Sequence, residues 1–248
     1  MNDKSLGAII LAAGKGIRMQ ATKINKVVYP LANRPMILHT VELLESLKMS
    51  SIIVVVGFAK ESVIDVLQDH SVTFAEQPEQ LGVANALSFG VEKIPDEVQN
   101  VLVVNGDDSA LYAKDLLEKL IDRHLDTSSA LTLLTIQLLN PFGLGRIIRD
   151  KNGEVIRIVE EKDATDEERK IQEINTGCYI FRVDFLKRYL HKIEKSKATG
   201  EYYLTDLIEL AAKNNEKITS IKGNNIKWRG VNTQAELDEA EKLFSSNI

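Results

Sequence analysis

Apolar positions in the first hundred residues fall into two alternating patterns. Uninterrupted apolar runs at 7–13, 51–57 and 100–104 are partly β-branched. Such runs predict strands buried on both faces of a parallel sheet. Between them the period changes. After Pro35, Ile37, Val41, Leu43, Leu44 and Leu47 recur on one helical face, and further helices are expected at about 60–68 and 83–93. A short strand is expected at 72–75, and 77–82 is a loop. Strand–helix alternation of this kind implies an α/β fold with a doubly wound, mostly parallel sheet. The texture changes in the second half. Strands are expected at 131–139, 174–181, 217–221 and 226–228, with helices at 183–193 and 203–213. Strands at 146–149 and 155–159 flank Lys151-Asn152-Gly153, a hairpin signal. A short polar helix is expected at 163–170, and a last one at 233–244 with Asn232 as its N-cap. The chain shows no repeat or linker, so residues 1–248 are expected to form one domain with halves 1–112 and 113–248. The second half would be a small β-rich extension of the same sheet.

Candidate chemistry gathers where the first strand ends. Gly14-Lys15-Gly16 follows the apolar run directly, and Lys15, Arg18, Lys23 and Lys26 supply positive charge. Small residues let successive backbone N–H groups approach a phosphate chain, and the cations can neutralise it. The Walker loop is excluded, because no Gly-Lys-Ser/Thr run occurs. The dinucleotide fingerprint is excluded too, since Met19 stands where its third glycine would fall. Taken alone, the two glycines suit an ordinary strand-to-helix turn as well as a ligand loop. Asp107, at the end of another apolar run, fits a Mg²⁺ ligand or a simple strand cap. Adjacent Asp108 should point to the opposite face if the strand continues.

Composition narrows the picture. A net charge of −5 without like-charge blocks argues against a general nucleic-acid binder. The single cysteine, Cys178, lies beside Tyr179, Ile180 and Phe181 and reads as a buried thiol, which excludes a disulfide framework. His39, His70, His124 and His191 show no metal-ligand spacing. No apolar stretch reaches membrane-spanning length and no signal peptide is visible, so a cytoplasmic protein without membrane partners is expected.

The longer string Leu11-Ala12-Ala13-Gly14-Lys15-Gly16-Ile17-Arg18-Met19, with Lys26 seven residues on, resembles the signature of the sugar-1-phosphate nucleotidylyltransferases. The resemblance implies a Rossmann-like nucleotide-sugar transferase fold. It implies that residues 11–16 wrap a nucleoside triphosphate and that Arg18 and Lys26 are catalytic. Ile17 replaces the usual Thr or Ser. Asn25 replaces the usual Pro, which suggests a less rigid loop. Gly106-Asp107-Asp108-Ser109-Ala110-Leu111 resembles Gly-Asp-x-Pro-Leu, making Asp107 a ligand for Mg²⁺, with Asn232 of Gly230-Val231-Asn232 as the second. Gln77-Pro78-Glu79-Gln80-Leu81-Gly82 resembles the base-recognition loop, through Gln77, Gln80 and Gly82. It continues Val83-Ala84-Asn85-Ala86, where the family often has Thr-x-His-Ala.

Three more runs sharpen the likeness. Gly143-Leu144-Gly145-Arg146-Ile147 resembles Gly-Tyr-Gly-Arg-Ile. Val159-Glu160-Glu161-Lys162 is followed by Asn175-Thr176-Gly177, and then by Tyr202-Tyr203-Leu204-Thr205-Asp206. Their order and spacing are similar to the uridylyltransferase half of the bifunctional N-acetylglucosamine-1-phosphate enzymes. This implies UTP and a sugar-1-phosphate as substrates, with Gly145, Glu160 and Asn175 on the sugar. The first half would then bind nucleotide and the second half sugar. No hexapeptide repeat is present, so neither a left-handed β-helix nor acetyltransferase activity is expected. The alternatives are another sugar, such as glucose-1-phosphate, another nucleotide, or a non-catalytic nucleotide-sugar sensor.

Overall fold

The computed structural model describes residues 6–19, 23–107, 112–223, 228 and 230–245. Its contacts divide the chain into two compact units. The first comprises residues 1–80, 85–114 and 227–248, and the second comprises 81–84 and 115–226.

In the first unit the three apolar runs become β1 (Leu6–Ala12), β4 (Ile52–Val56) and β6 (Asn100–Asn105). They are joined by β5 (Thr73–Glu76). The order is β6-β1-β4-β5, and every neighbouring pair is parallel. Burial explains the unbroken apolar composition: all five residues of β4 are at most 6% exposed. Each such side chain contributes about 1.5–3 kcal/mol through burial. The registers Ala12↔Val56, Val56↔Glu76 and Leu11↔Asn105 bring the carboxyl ends of all four strands together. The loop at Ala13, the turn at Gly57, Gln77 and Asp107 therefore leave the sheet at one end, where α/β sheets bind ligands.

Helix α1 (Met36–Ser46) begins directly after Pro35 and buries Met36, Ile37, Thr40, Val41 and Leu44. Helices α2 (Lys60–Val66) and α3 (Val83–Val91) follow near their expected places. Two-residue strands β2 (Pro30–Leu31) and β3 (Arg34–Pro35) form a small hairpin that the periodicity does not reveal. Its turn residues Ala32 and Asn33 both have positive φ. The last helix, here α8 (Gln234–Ser245), belongs to this unit. Glu241 accepts the N–H of Ala32 at 2.8 Å, and the Phe244 ring lies 4.9 Å from His39. The helix begins one residue later than expected, and its cap is different. Thr233 Oγ1 accepts the N–H of Glu236, while the Glu236 carboxylate takes the N–H of Asn232. That capping arrangement leaves the Asn232 side chain out of the cap.

In the second unit, α4 (Lys114–Thr127) leads into β7 (Leu131–Gln137). Strand β10 (Glu173–Arg182) pairs antiparallel with β7, and β11 (Ile218–Lys222) pairs parallel with it. Strands β8 (Arg146–Arg149) and β9 (Val155–Val159) form the expected hairpin, and β8 also pairs with β10. Asp150 closes the hairpin turn by accepting the N–H groups of Asn152 and Glu154, and Gly153 has φ +84°. Helix α5 (Asp166–Arg169) is shorter than expected and starts at a capping box on Thr165. Helix α6 (Val183–Tyr189) gives way to a 3-10 turn at Leu190–Lys192 instead of continuing to Ile193. Helix α7 (Asp206–Lys213) precedes β11. The strand expected at 226–228 and the orientation of Asp108 lie outside the described residues, apart from Trp228, which is in no strand.

Candidate functional site

The first unit holds the candidate triphosphate loop. Gly14 and Lys15 are exposed, and Gly16 takes φ +58°, so that its carbonyl accepts the N–H of Met19 across the 3-10 turn Ile17–Met19. Lys15 and Arg18 are exposed and form no ion pair with any described residue. Ile17, where the family has a hydroxyl side chain, is 78% exposed.

Lys26 behaves differently from those two cations. Its Nζ is ion-paired with Asp107 Oδ2. It also donates to Asn232 Oδ1 and Val231 O, both at 3.0 Å. The fold thus brings Lys26, Asp107 and Asn232 to one point, from β6, from the short turn Lys26–Val28 and from the entry to α8. The donor set there is one carboxylate and two neutral oxygens. That set fits a hard divalent cation, because Mg²⁺ takes few protein oxygens and completes its shell with phosphate and water. No group of three His, Cys, Asp or Glu side chains suited to a metal occurs among the described residues, so this mixed set is the candidate.

Of the base-recognition candidates, Gln77 and Gln80 belong to the same unit as the loop. Gln77 is 3% exposed, and its Nε2 donates to Asn85 Oδ1 at 2.8 Å. Asn85, at the position of the family's histidine, thus orients the amide. Gly57 was not singled out from the sequence, yet it sets the spacing. A Cβ there would lie 2.9 Å from Ala13 O and 3.1 Å from Gln80 Nε2. Only glycine lets the candidate loop and Gln80 approach so closely. Gly82 belongs to the second unit, with φ +106° and space for a Cβ only 2.6 Å from Tyr202 O. Tyr202 N–H bonds to Leu81 O, and Ala84 N–H bonds to Tyr202 O.

The sugar-side candidates also converge, within the second unit. Gly145 O accepts the N–H of Asn175 at 2.9 Å, and a Cβ on Gly145 would lie 3.5 Å from Glu160 Oε1 and 2.9 Å from Ile158 Cγ2. Asn175 sits where the β10–β7 register shifts, next to Gly177 at φ +78°. Such a bulge redirects a side chain. Its Nδ2 donates to Tyr179 Oη at 2.6 Å, and its Oδ1 accepts the N–H of Gly177. Glu160 accepts from Thr205 Oγ1 at 3.1 Å. Burial pushes the Glu160 carboxyl above its ordinary range, and Asp163 and Asp206 add to this against the Thr205 hydrogen bond. Tyr179 lies in an otherwise ordinary apolar run, and Thr205, though part of a run that resembles the family, is given no role by the sequence pattern. Arg146, 2% exposed, buttresses the wall by pairing with Glu161 at 2.7 Å.

A family model described as Nucleotidyl transferase matches residues 7–246. The bifunctional protein GlmU of Desulfotalea psychrophila is 41% identical over 241 residues, covering 97% of this chain and 70% of that protein. The GlmU proteins of Caldicellulosiruptor saccharolyticus and Thermoanaerobacter pseudethanolicus are 42% and 41% identical, and the chain spans only 52% and 53% of their lengths. A Bacillus anthracis structure described as a glucose-1-phosphate thymidylyltransferase superposes with a TM-score of 0.79 over 96% of this chain and 94% of that one. At 23% identity that likeness speaks for the fold alone. A family match running almost from end to end, with relatives at 41–42% identity, makes this chain a member of the nucleotidyl transferase family.

Proposed function

We propose that the protein transfers a uridylyl group from UTP to N-acetylglucosamine-1-phosphate, releasing pyrophosphate, as a Mg²⁺-dependent cytoplasmic enzyme. The observation that carries this reading is the convergence of Asp107 and Asn232 on the Lys26 ammonium. A cation already stands where these two oxygens meet, which supports a metal ion at the same point. Held by Asp107 and Asn232, Mg²⁺ would supply charge neutralisation to the reacting phosphates.

The remaining work falls to the chain. Amides from Ala12, the last residue of β1, to Gly16 bind the triphosphate, with Leu11 beside them in the strand. Lys15 and Arg18, whose charges are unpaired among the described residues, neutralise it. Lys26, once it leaves its oxygens, adds to the charge stabilisation of the transition state. Gln77, whose amide is both donor and acceptor, reads the uracil edge with Gln80 and Gly82. Glu160, Asn175 and the backbone at Gly145 hold the sugar. The sugar phosphate oxygen then attacks the α-phosphorus in line, and pyrophosphate leaves. No covalent enzyme intermediate is required, because positioning and charge neutralisation account for the chemistry.

Measuring pyrophosphate release over four nucleoside triphosphates and a panel of sugar phosphates tests the reading. The fastest pair should be UTP with N-acetylglucosamine-1-phosphate. Preference for another nucleotide would overturn the base assignment, and equal turnover of glucose-1-phosphate would overturn the sugar assignment. Release with no pair at all would favour a nucleotide-sugar sensor.

A further inference from the structure

Asn25, where the resembling family carries proline, is fully buried at 0% exposure. Its Nδ2 donates to Ala12 O at 2.9 Å, to Phe58 O at 2.8 Å and, more weakly, to Gly14 O at 3.3 Å. Its Oδ1 accepts the N–H of Val27 at 3.1 Å, capping the turn that carries Lys26. Its own N–H donates to Ser62 Oγ at 3.0 Å. Three carbonyls face the nitrogen and an N–H faces the oxygen, so only one orientation of the amide satisfies the site. Where the family has a ring constraint, this chain has a set of hydrogen bonds.

The consequence lies in the direction of the loop amides. Ala13 O accepts the N–H of Phe58 at 3.1 Å, so the carbonyls of Ala12, Ala13 and Gly14 are all held from the Asn25–Phe58 side. In a trans peptide the C=O and the following N–H point opposite ways. Anchoring these carbonyls inward turns the N–H groups of Ala13, Gly14 and Lys15 outward together, which forms an anion-binding concavity. The N–H groups of Gly14, Lys15 and Gly16 donate to no described residue, and a Cβ on Gly14 would meet nothing within 4 Å.

We infer that Asn25 is a positioning residue for the triphosphate. Its amide sets the phosphate-facing N–H row and, through Val27, the backbone of Lys26. This deepens the proposed function and rests on residues 11–16 binding the triphosphate. The test is calorimetric binding of UTP together with steady-state kinetics for wild type, Asn25→Ala and Asn25→Pro. Proline matches the φ of −68° at Asn25 and removes, besides the amide, only the backbone N–H that donates to Ser62 Oγ, so Ser62→Ala serves as the control for that bond. Proline keeps the turn while removing the amide, so it covers the case in which the alanine variant does not fold. Both Asn25 variants should bind UTP about tenfold more weakly, the equivalent of one good hydrogen-bonded contact, with KM for the sugar phosphate unchanged. A fall in melting temperature with unchanged UTP affinity would make the role purely structural and overturn the inference. A proline variant that binds UTP like wild type would do the same, since turn rigidity and not the amide would then matter. Wild-type protein that binds no nucleoside triphosphate would overturn both this inference and the function beneath it.

Discussion

An ammonium group shared by a carboxylate and two neutral oxygens is a self-supplied counter-ion, and that is the state of Lys26. Asp107 and Asn232 can take a divalent ion only if Lys26 Nζ gives up those oxygens. Replacing Lys26 with Met should therefore tighten Mn²⁺ binding severalfold in the nucleotide-free protein, read by water-proton relaxation. The exposed Lys15→Met, which removes an equal charge without that contact, should leave it unchanged. Asp107→Asn should act in the other direction. It removes the only carboxylate of the set and several kcal/mol of charge stabilisation, so turnover should fall about 10³-fold or more. The melting temperature should move by only a few degrees, because one partly buried ion pair is lost. Near-normal pyrophosphate release at limiting Mg²⁺ would move the metal to another carboxylate.

At the scale of elements, glycines that admit a close neighbour matter more than glycines that merely turn. Gly82 and Gly143 both have positive φ, at +106° and +80°. A Cβ on Gly82 would run into Tyr202, whereas one on Gly143 would meet nothing within 4 Å. Gly143→Ala should thus cost about 1 kcal/mol, the price of the left-handed backbone. Gly82→Ala should cost about 2 kcal/mol more, through displacement of the Tyr202 segment, and the difference can be read from urea unfolding. Elements with strong local signals were legible in advance. The strands β1, β4 and β6 follow from unbroken apolar runs, and the β8–β9 hairpin follows from Asn152-Gly153. Where the local signal was thin, it misled or was silent. The two-residue strands β2 and β3 have no period to detect, and Thr233 took the cap expected at Asn232 because Glu236 engages the Asn232 backbone. The site divides the same way. Residues 11–16 and Asp107 stand out as glycine and acid at strand ends, where a plain turn or strand cap is the alternative until the longer family-like string is read. Asn25 does not, because its partners Ala12 and Phe58 lie 13 and 33 residues away and only the fold brings them together.

For the molecule as a whole, most of the carboxyl groups that depart from their ordinary range lie in the second unit, with Glu42, held down by Arg34, in the first. Glu173 is held below its ordinary range despite burial, by Arg149 and Thr135, so its contribution to stability is lost as acid protonates it. Asp206, at the start of α7, goes the other way. Burial, with Glu209 and Asp163 nearby and only Lys213 opposing, raises its pKa from 3.8 to about 6. Between those two values the native state holds more proton than the unfolded chain. This group's contribution therefore turns unfavourable as pH rises through that window, and above pH 6 the full penalty remains. Glu160 shifts in the same direction, mainly through burial. Asp206→Asn removes the titration while keeping a polar group at the helix start. Relative to wild type, the variant should be more stable at pH 7 by about 1 kcal/mol once solvent screening is allowed for, and should show little advantage at pH 4. Urea midpoints at the two pH values measure this. An advantage equal at both would mean that packing, not charge, distinguishes the variant.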